Sequence, residues 1–225
     1  MSLKIDAAEL ETIADLLRDF SVDPDLTPKE VYEIIWTRFN TLEQTPPYKL
    51  LVDQNRTLDV DKRQIYSRLP LELHEFLFDD LFSFAGKYRR TSDPSNGRIY
   101  FGKQHAQRRR PKFKGDRPEH IEKGVQVALN YLIEEKEDHI YNTIRFYQKF
   151  VNVHPFYDAN GRIGRLIASL YLKNNGWVMN WSEFDSKNKF IKKLNTCHNN
   201  PSEENFGYLI NYVRPFLISL DSLER

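Results

Sequence analysis

Apolar residues recur along the chain at intervals of three and four, the spacing of one helix face, and few segments alternate with a strand's period. Ala7, Leu10, Ile13, Ala14 and Leu17 form a first stripe and predict a helix. Thr27-Pro28-Lys29-Glu30 then reads as an N-cap, a proline at the first helical position and a capping-box glutamate. Val31, Ile34, Ile35, Arg38, Phe39 and Leu42 follow on one face, and Pro46-Pro47 closes this N-terminal region. A third helix is expected to open near Pro70, with Leu73, Leu77, Leu81 and Phe84 inward and Gly86 ending it. Further helices are predicted at about 119–136, 138–153, 160–175, 182–198 and 203–220.

Residues 91–118 break this pattern. Thr91 to Gly97 is a loop whose strongest turn signal is Asn96-Gly97. Arg98-Ile99-Tyr100-Phe101 is a short β-prone run ending at Gly102, and Pro111 and Gly115 punctuate the residues after it. The segment predicts a short hairpin or flap set into a helical protein.

Composition narrows the classes. The chain has 225 residues, with 33 Lys and Arg against 32 Asp and Glu, for a net charge of +1. That balance disfavours a surface built throughout for nucleic acid or anionic membrane. One cysteine, Cys197, leaves no intrachain disulfide framework and no multi-cysteine metal site. No apolar run has the length of a membrane span, and the N-terminus lacks signal-peptide character. A cytoplasmic protein is the expectation. Charge is uneven, however: Arg98, Lys103, Arg108, Arg109, Arg110, Lys112, Lys114 and Arg117 face only Asp116 among acids in that stretch. It reads either as a solvated loop or as a docking edge for an acidic partner or phosphates.

Three motifs fail. Gly97 to Lys103 fits most of a Walker A loop, but Gln104 cannot supply the hydroxyl used on magnesium. His74-Glu75 opens a zincin pattern that Phe78 breaks, so His74 reads as a helix-face or partly packed histidine. Cys197 and His198 are helix neighbours that point apart.

One stretch holds: His154-Pro155-Phe156-Tyr157-Asp158-Ala159-Asn160-Gly161-Arg162-Ile163-Gly164-Arg165. Pro155 disfavours helix at His154 and so places the imidazole at a helix end. Phe156, apolar in a polar loop, reads as a core anchor. A new helix starts at Asn160-Gly161, with Ile163, Leu166, Ile167, Leu170 and Tyr171 buried and both arginines to one side. A helix N-terminus with free N–H groups, a glycine and two guanidinium groups attracts polyphosphate. Asp158 at its mouth would need a bridging cation such as Mg²⁺. His154 is the nearby group able to act as a general base.

These residues resemble the signature of Fic (filamentation induced by cAMP) proteins, H-x-F-x-[DE]-[GA]-N-G-R-x-x-R, at every defining position. Leu73 to Arg89 is likewise similar to the helix leading into the family's flap. The resemblance implies a mainly α-helical Fic fold, a bundle around a helix-loop-helix site with a short β-hairpin flap. It places a Fic domain at 63–225, after an N-terminal helical extension at 1–62. It implies a protein adenylyltransferase that uses ATP and Mg²⁺. His154 would deprotonate a Ser, Thr or Tyr hydroxyl of a target protein, and Asp158 would hold the metal. Ala159, Asn160, Gly161, Arg162, Gly164 and Arg165 would bind the nucleotide. Ile99, Tyr100, Phe101 and Gly102 would pair with an extended target segment.

Gly161 favours AMP transfer, because the Doc branch of the family carries lysine there and phosphorylates instead. The family's inhibitory motif, [ST]-x-x-x-E-[GN], is not found in the chain. An antitoxin-like protein acting in trans, or a divergent segment, would then block the site. Phe190 and His198 stand where relatives often show Tyr and Asn around the adenine. Two alternatives stay open: a Fic-fold transferase of another phosphoryl or nucleotidyl group, and a binding module using the basic 98–117 segment.

Overall fold

Capping chemistry sets where several helices begin. The Thr27 side chain accepts from the Glu30 N–H while the Glu30 carboxylate accepts from the Thr27 N–H, as the capping box requires. Asp138 and Ser202 cap two later helices through the N–H groups of Tyr141 and Asn205. The computed structural model describes residues 7–42, 62–101, 113–134, 137–181 and 189–222. Their elements run α1 (Ala7–Phe20), α2 (Pro28–Thr41), α3 (Lys62–Phe78), β1 (Tyr100–Phe101), β2 (Phe113–Lys114), α4 (Pro118–Glu134), α5 (His139–Val153) and α6 (Asn160–Asn174). They continue with β3 (Trp177–Met179), α7 (Lys189–Asn199), α8 (Glu203–Val213) and β4 (Leu217–Ser219). This is the mainly helical architecture with a short hairpin that the sequence led us to expect.

The centre is α5, which packs against both α4 and α6. Ile144, Phe146, Phe150, Ile163 and Ile167 are fully buried there, each aliphatic or aromatic side chain contributing about 1.5–3 kcal/mol. Helices α1 and α2 share the same core through Ile13, Leu16, Val31, Ile35 and Leu42. Leu16 replaces the predicted Ala14, which is exposed. Backbone bonds fix the junction: Ser83 N–H donates to Phe20 O (2.9 Å), and Val22 N–H to Leu81 O (3.3 Å). Arg38 of α2 reaches across to the Asp79 carbonyl (2.7 Å) and the Asp80 carboxylate (2.8 Å).

Several expectations are corrected. α3 opens at Lys62 and carries Pro70 inside it. The helix tolerates that proline because Leu69, Leu73 and Leu77 are buried on one stripe, and packing outweighs propensity. It stops at Phe78, so Leu81, Phe84 and the run up to Arg89 lie on turns, although both apolar residues are buried. Gly86 does adopt a left-handed φ of 64°, and its N–H donates to His74 Nδ1 (3.1 Å). His74, expected on a helix face or partly packed, is wholly buried. The last helix ends at Val213, and residues 217–219 instead form β4, antiparallel to β3 with Val178 opposite Ile218. Periodicity cannot see three-residue strands whose partners lie some forty positions away.

The expected flap hairpin is present at its base, with Tyr100 opposite Lys114 and Phe101 opposite Phe113. Ser95, Asn96 and Gly97 before it all take left-handed φ values near the predicted turn. Gly102, the basic run 103–112, Pro46-Pro47 and residues 182–188 lie outside the described residues. Among the described residues no helix is long and apolar enough to cross a membrane.

Candidate active site

α5 ends as Pro155 dictates. His154 takes a left-handed conformation (φ 52°, ψ 61°), and its N–H closes the helix on Phe150 O at 3.1 Å. Such a conformation costs a non-glycine residue about 1–2 kcal/mol, so contacts must hold it. Arg89 Nε donates to the His154 carbonyl (2.9 Å), and the imidazole stacks on Phe101 of β1 at 4.0 Å and 11°. His154 Nδ1 lies 3.2 Å from the Val151 carbonyl. An acceptor there places the ring proton on Nδ1 and leaves the lone pair on Nε2. Burial first, and then the charge of Arg89, lower the His154 pKa to about 4. The ring is therefore neutral at pH 7.

The turn after His154 is built on Phe156. Its ring is fully buried and stacks on His74 at 4.0 Å. The Asn160 side chain clasps its peptide from both sides, Oδ1 accepting from Phe156 N–H and Nδ2 donating to Phe156 O, each at 2.9 Å. Ala159 then enters α6 with φ 60°. Asp158 Oδ1 accepts from the Ala159 N–H (2.6 Å), and its Oδ2 accepts from Arg162 Nη2 (2.8 Å). Contrary to the expectation of free donors, one N–H of this helix mouth is already engaged. A cleft of about 420 Å³ brings His154, Tyr157 and Asp158 together with Ile99, Tyr100 and Phe101.

Helix end, turn and helix start thus follow one another as the twelve-residue stretch implies, with the flap packed beside them, and residues 65–172 match the Fic/DOC family. The chain carries a Fic domain. In sequence it is 26% identical over 194 residues to a probable protein adenylyltransferase of Aquifex aeolicus, covering 85% of this chain and 50% of the relative. The chain spans about half the length of that curated relative. Among solved structures it is similar to the N-terminal Fic domain of a Bartonella effector protein from Bartonella sp. AR 15-3, with a TM-score of 0.61 at 13% identity over 90% of this chain and 92% of the other. It is also similar to BepC of Bartonella tribocorum, solved with bound AMPPNP, with a TM-score of 0.55 at 16% identity over 85% and 88% of the two chains. These likenesses concern the fold.

Within the Fic domain the glycines differ. A Cβ at Gly161 would meet only the Tyr147 hydroxyl, at 3.6 Å, whereas one at Gly164 would crowd the Tyr147 ring at 3.1 Å. Gly164 is buried against α5 and lets the two helices approach, so what the structure describes there is packing. The Asn160 side chain is likewise spent on Phe156, which leaves its backbone to any ligand. Arg162 and Arg165 are half-buried on α6. Cys197 is buried and donates to Asn205 O (3.4 Å). His198 faces Phe113 edge-on, and Phe190 packs against Tyr147.

Three features escaped the sequence. Thr12, Asp15, Leu16, Asp19 and Phe20 of α1 form the far wall of the cleft. Tyr157 donates to Asp93 (3.0 Å) and so ties the signature turn to the loop before the flap. Arg89 is buried at 2% exposure. No periodicity reports a buried arginine, because patterning counts it as surface. Among the described residues no three His, Cys, Asp or Glu side chains converge as metal ligands.

Proposed function

We propose that this protein is an adenylyltransferase that moves AMP from ATP to a hydroxyl side chain of another protein. The observation that carries the reading is the placement of a neutral His154 imidazole in one cleft with Asp158 and the open side of β1. His154 Nε2 takes the proton from the acceptor hydroxyl, whose oxygen attacks the α-phosphorus. A new P–O bond forms, the bond to the β-phosphate oxygen breaks, and pyrophosphate leaves. The low pKa of His154 makes it a weak but permanently available base at neutral pH.

Asn160 to Arg162 hold the phosphates through backbone N–H groups and the Arg162 guanidinium, with Arg165 on the outer phosphates, while the Ala159 N–H stays with Asp158. Asp158 suits Mg²⁺: it is a hard carboxylate oxygen donor at a helix mouth, and its present partner is a displaceable guanidinium 2.8 Å away. Mg²⁺ bound by Asp158 and phosphate oxygens would neutralise charge on the nucleotide. Ile99 to Gly102 pair with an extended target segment. Support also comes from the names of two proteins similar to this one, the probable adenylyltransferase and the AMPPNP-bound BepC.

The test is mass spectrometry of a bacterial lysate incubated with the protein and Mg-ATP. AMP adducts are expected, and they should vanish with His154→Ala while Mg-ATP binding persists. Adducts equally abundant in that variant, or phosphate adducts alone, would overturn the reading.

A further inference from the structure

Arg89 turns all three guanidinium nitrogens onto backbone carbonyls. Nε donates to His154 O (2.9 Å), Nη2 to Asp116 O (2.9 Å) and Val153 O (3.4 Å), and Nη1 to Gly97 O. Gly97 lies just before β1 and Asp116 just after β2, so both roots of the flap hang on one guanidinium. Val153 and His154 are the last turn of α5, where a cation meets the negative end of the helix dipole. Nearby backbone repeats the link: Asp116 N–H donates to Val153 O (3.0 Å), and Gly115 N–H to Ile99 O (3.1 Å). The Arg89 N–H itself donates to Pro155 O (3.1 Å).

Crowding gives a second, independent sign. A Cβ at Gly115 would lie 2.8 Å from Ile99 Cγ2 and 3.0 Å from both Arg89 Nη2 and His154 Cβ. Flap, guanidinium and histidine meet with no room for a methyl group. Burying a cation costs several kcal/mol, and an apolar side chain would fill the same space more favourably. Lysine carries its three donors on one atom and cannot span carbonyls on three segments. An arginine at this position is explained by the geometry it fixes.

We propose that Arg89 is a positioning residue that locks both flap roots and the His154 backbone into one unit, keeping a flap-bound hydroxyl in register with the imidazole. The locking stands on the hydrogen bonds alone. The register rests on His154 being the base in the proposed function.

The experiment uses Arg89→Lys and Arg89→Met in the full chain, with two readouts. Hydrogen exchange should speed up at the amides of Gly115 and Asp116 while α4 and the middle of α6 stay protected. AMP-adduct formation at saturating Mg-ATP should fall by roughly 100-fold, the penalty of a displacement of about 1 Å, with the half-saturating Mg-ATP concentration within about twofold of wild type. Unchanged exchange at those two amides overturns the locking. Faster exchange with an unchanged adduct rate overturns the register, and parallel loss of Mg-ATP affinity and of protection throughout the core reduces Arg89 to a general scaffold residue. If Arg89→Met does not fold, Arg89→Lys, which keeps the charge, decides. A wild-type protein that forms no adduct overturns the reading of His154 and the register with it, and the exchange arm still decides the locking.

Discussion

Asp158, just before α6, and Arg162, in its first turn, hold each other carboxylate to guanidinium at 2.8 Å. The two groups proposed for the metal and for the phosphates are thus each other's partner before nucleotide arrives. On the proposed reading, binding Mg-ATP would be an exchange in which each gives up the other for an ion of opposite charge.

That exchange predicts a split effect for Asp158→Asn. Loss of a charged contact worth about 1.5–3 kcal/mol should weaken Mg-ATP about 10- to 100-fold. Binding of ATP in EDTA should hold steady or tighten, because Arg162 is released. Calorimetric titration with and without Mg²⁺ measures both, and a Mg²⁺ dependence equal to wild type would refute the assignment.

Three histidines make stability depend on pH. Burial lowers the pKa of His74 to about 3, and those of His154 and His198 to about 4. Each lies below the ordinary value near 6.5, so between about pH 4 and 6.5 the unfolded chain binds protons that the fold refuses. Stability from these groups is complete above that window and drains away as pH falls through it. The urea midpoint should therefore drop from pH 7 to pH 5, and more gently in His74→Phe. An identical slope in that variant would show that His74 does not contribute.

Phe156 is the anchor of the signature turn. Phe156→Ala removes a fully buried ring stacked on His74, which should cost about 3–5 kcal/mol. Thermal melting reads this directly. Because the Phe156 peptide is also clasped by Asn160, Mg-ATP affinity should fall alongside. Affinity equal to wild type in a folded sample would separate the anchor from the cradle.

Gly115→Ala tests the crowded meeting of flap and histidine. Overpacking should cost about 1–3 kcal/mol, and AMP-adduct formation should drop about tenfold or more as His154 shifts. Gly207→Ala is the control, since a Cβ there meets nothing within 4 Å. Equal behaviour of the two variants would deny any special tightness at Gly115.

Local signals were the legible ones. Thr27 to Glu30 and Pro155 mark helix ends through bonds or steric clashes within four residues, and both behave as read. The stretch from His154 to Arg165 could be placed at a helix end, a turn and a helix start for the same reason. Pro70 misled, because a proline is a local stop that the buried stripe Leu69, Leu73 and Leu77 overrides from a distance. β4 was missed because its reason to exist is β3, far away in sequence.

Helical class, flap and site family are all written in neighbouring residues, as periodicity, caps and a contiguous motif. Contacts between remote segments needed the folded chain. Folding put α1 across the cleft, turned Asp158 onto Arg162 and buried Arg89 among carbonyls from three segments. Those outcomes depend on the burial of charge and on which distant segments meet. An arginine's solvation and its partners exist only once the chain has folded around it.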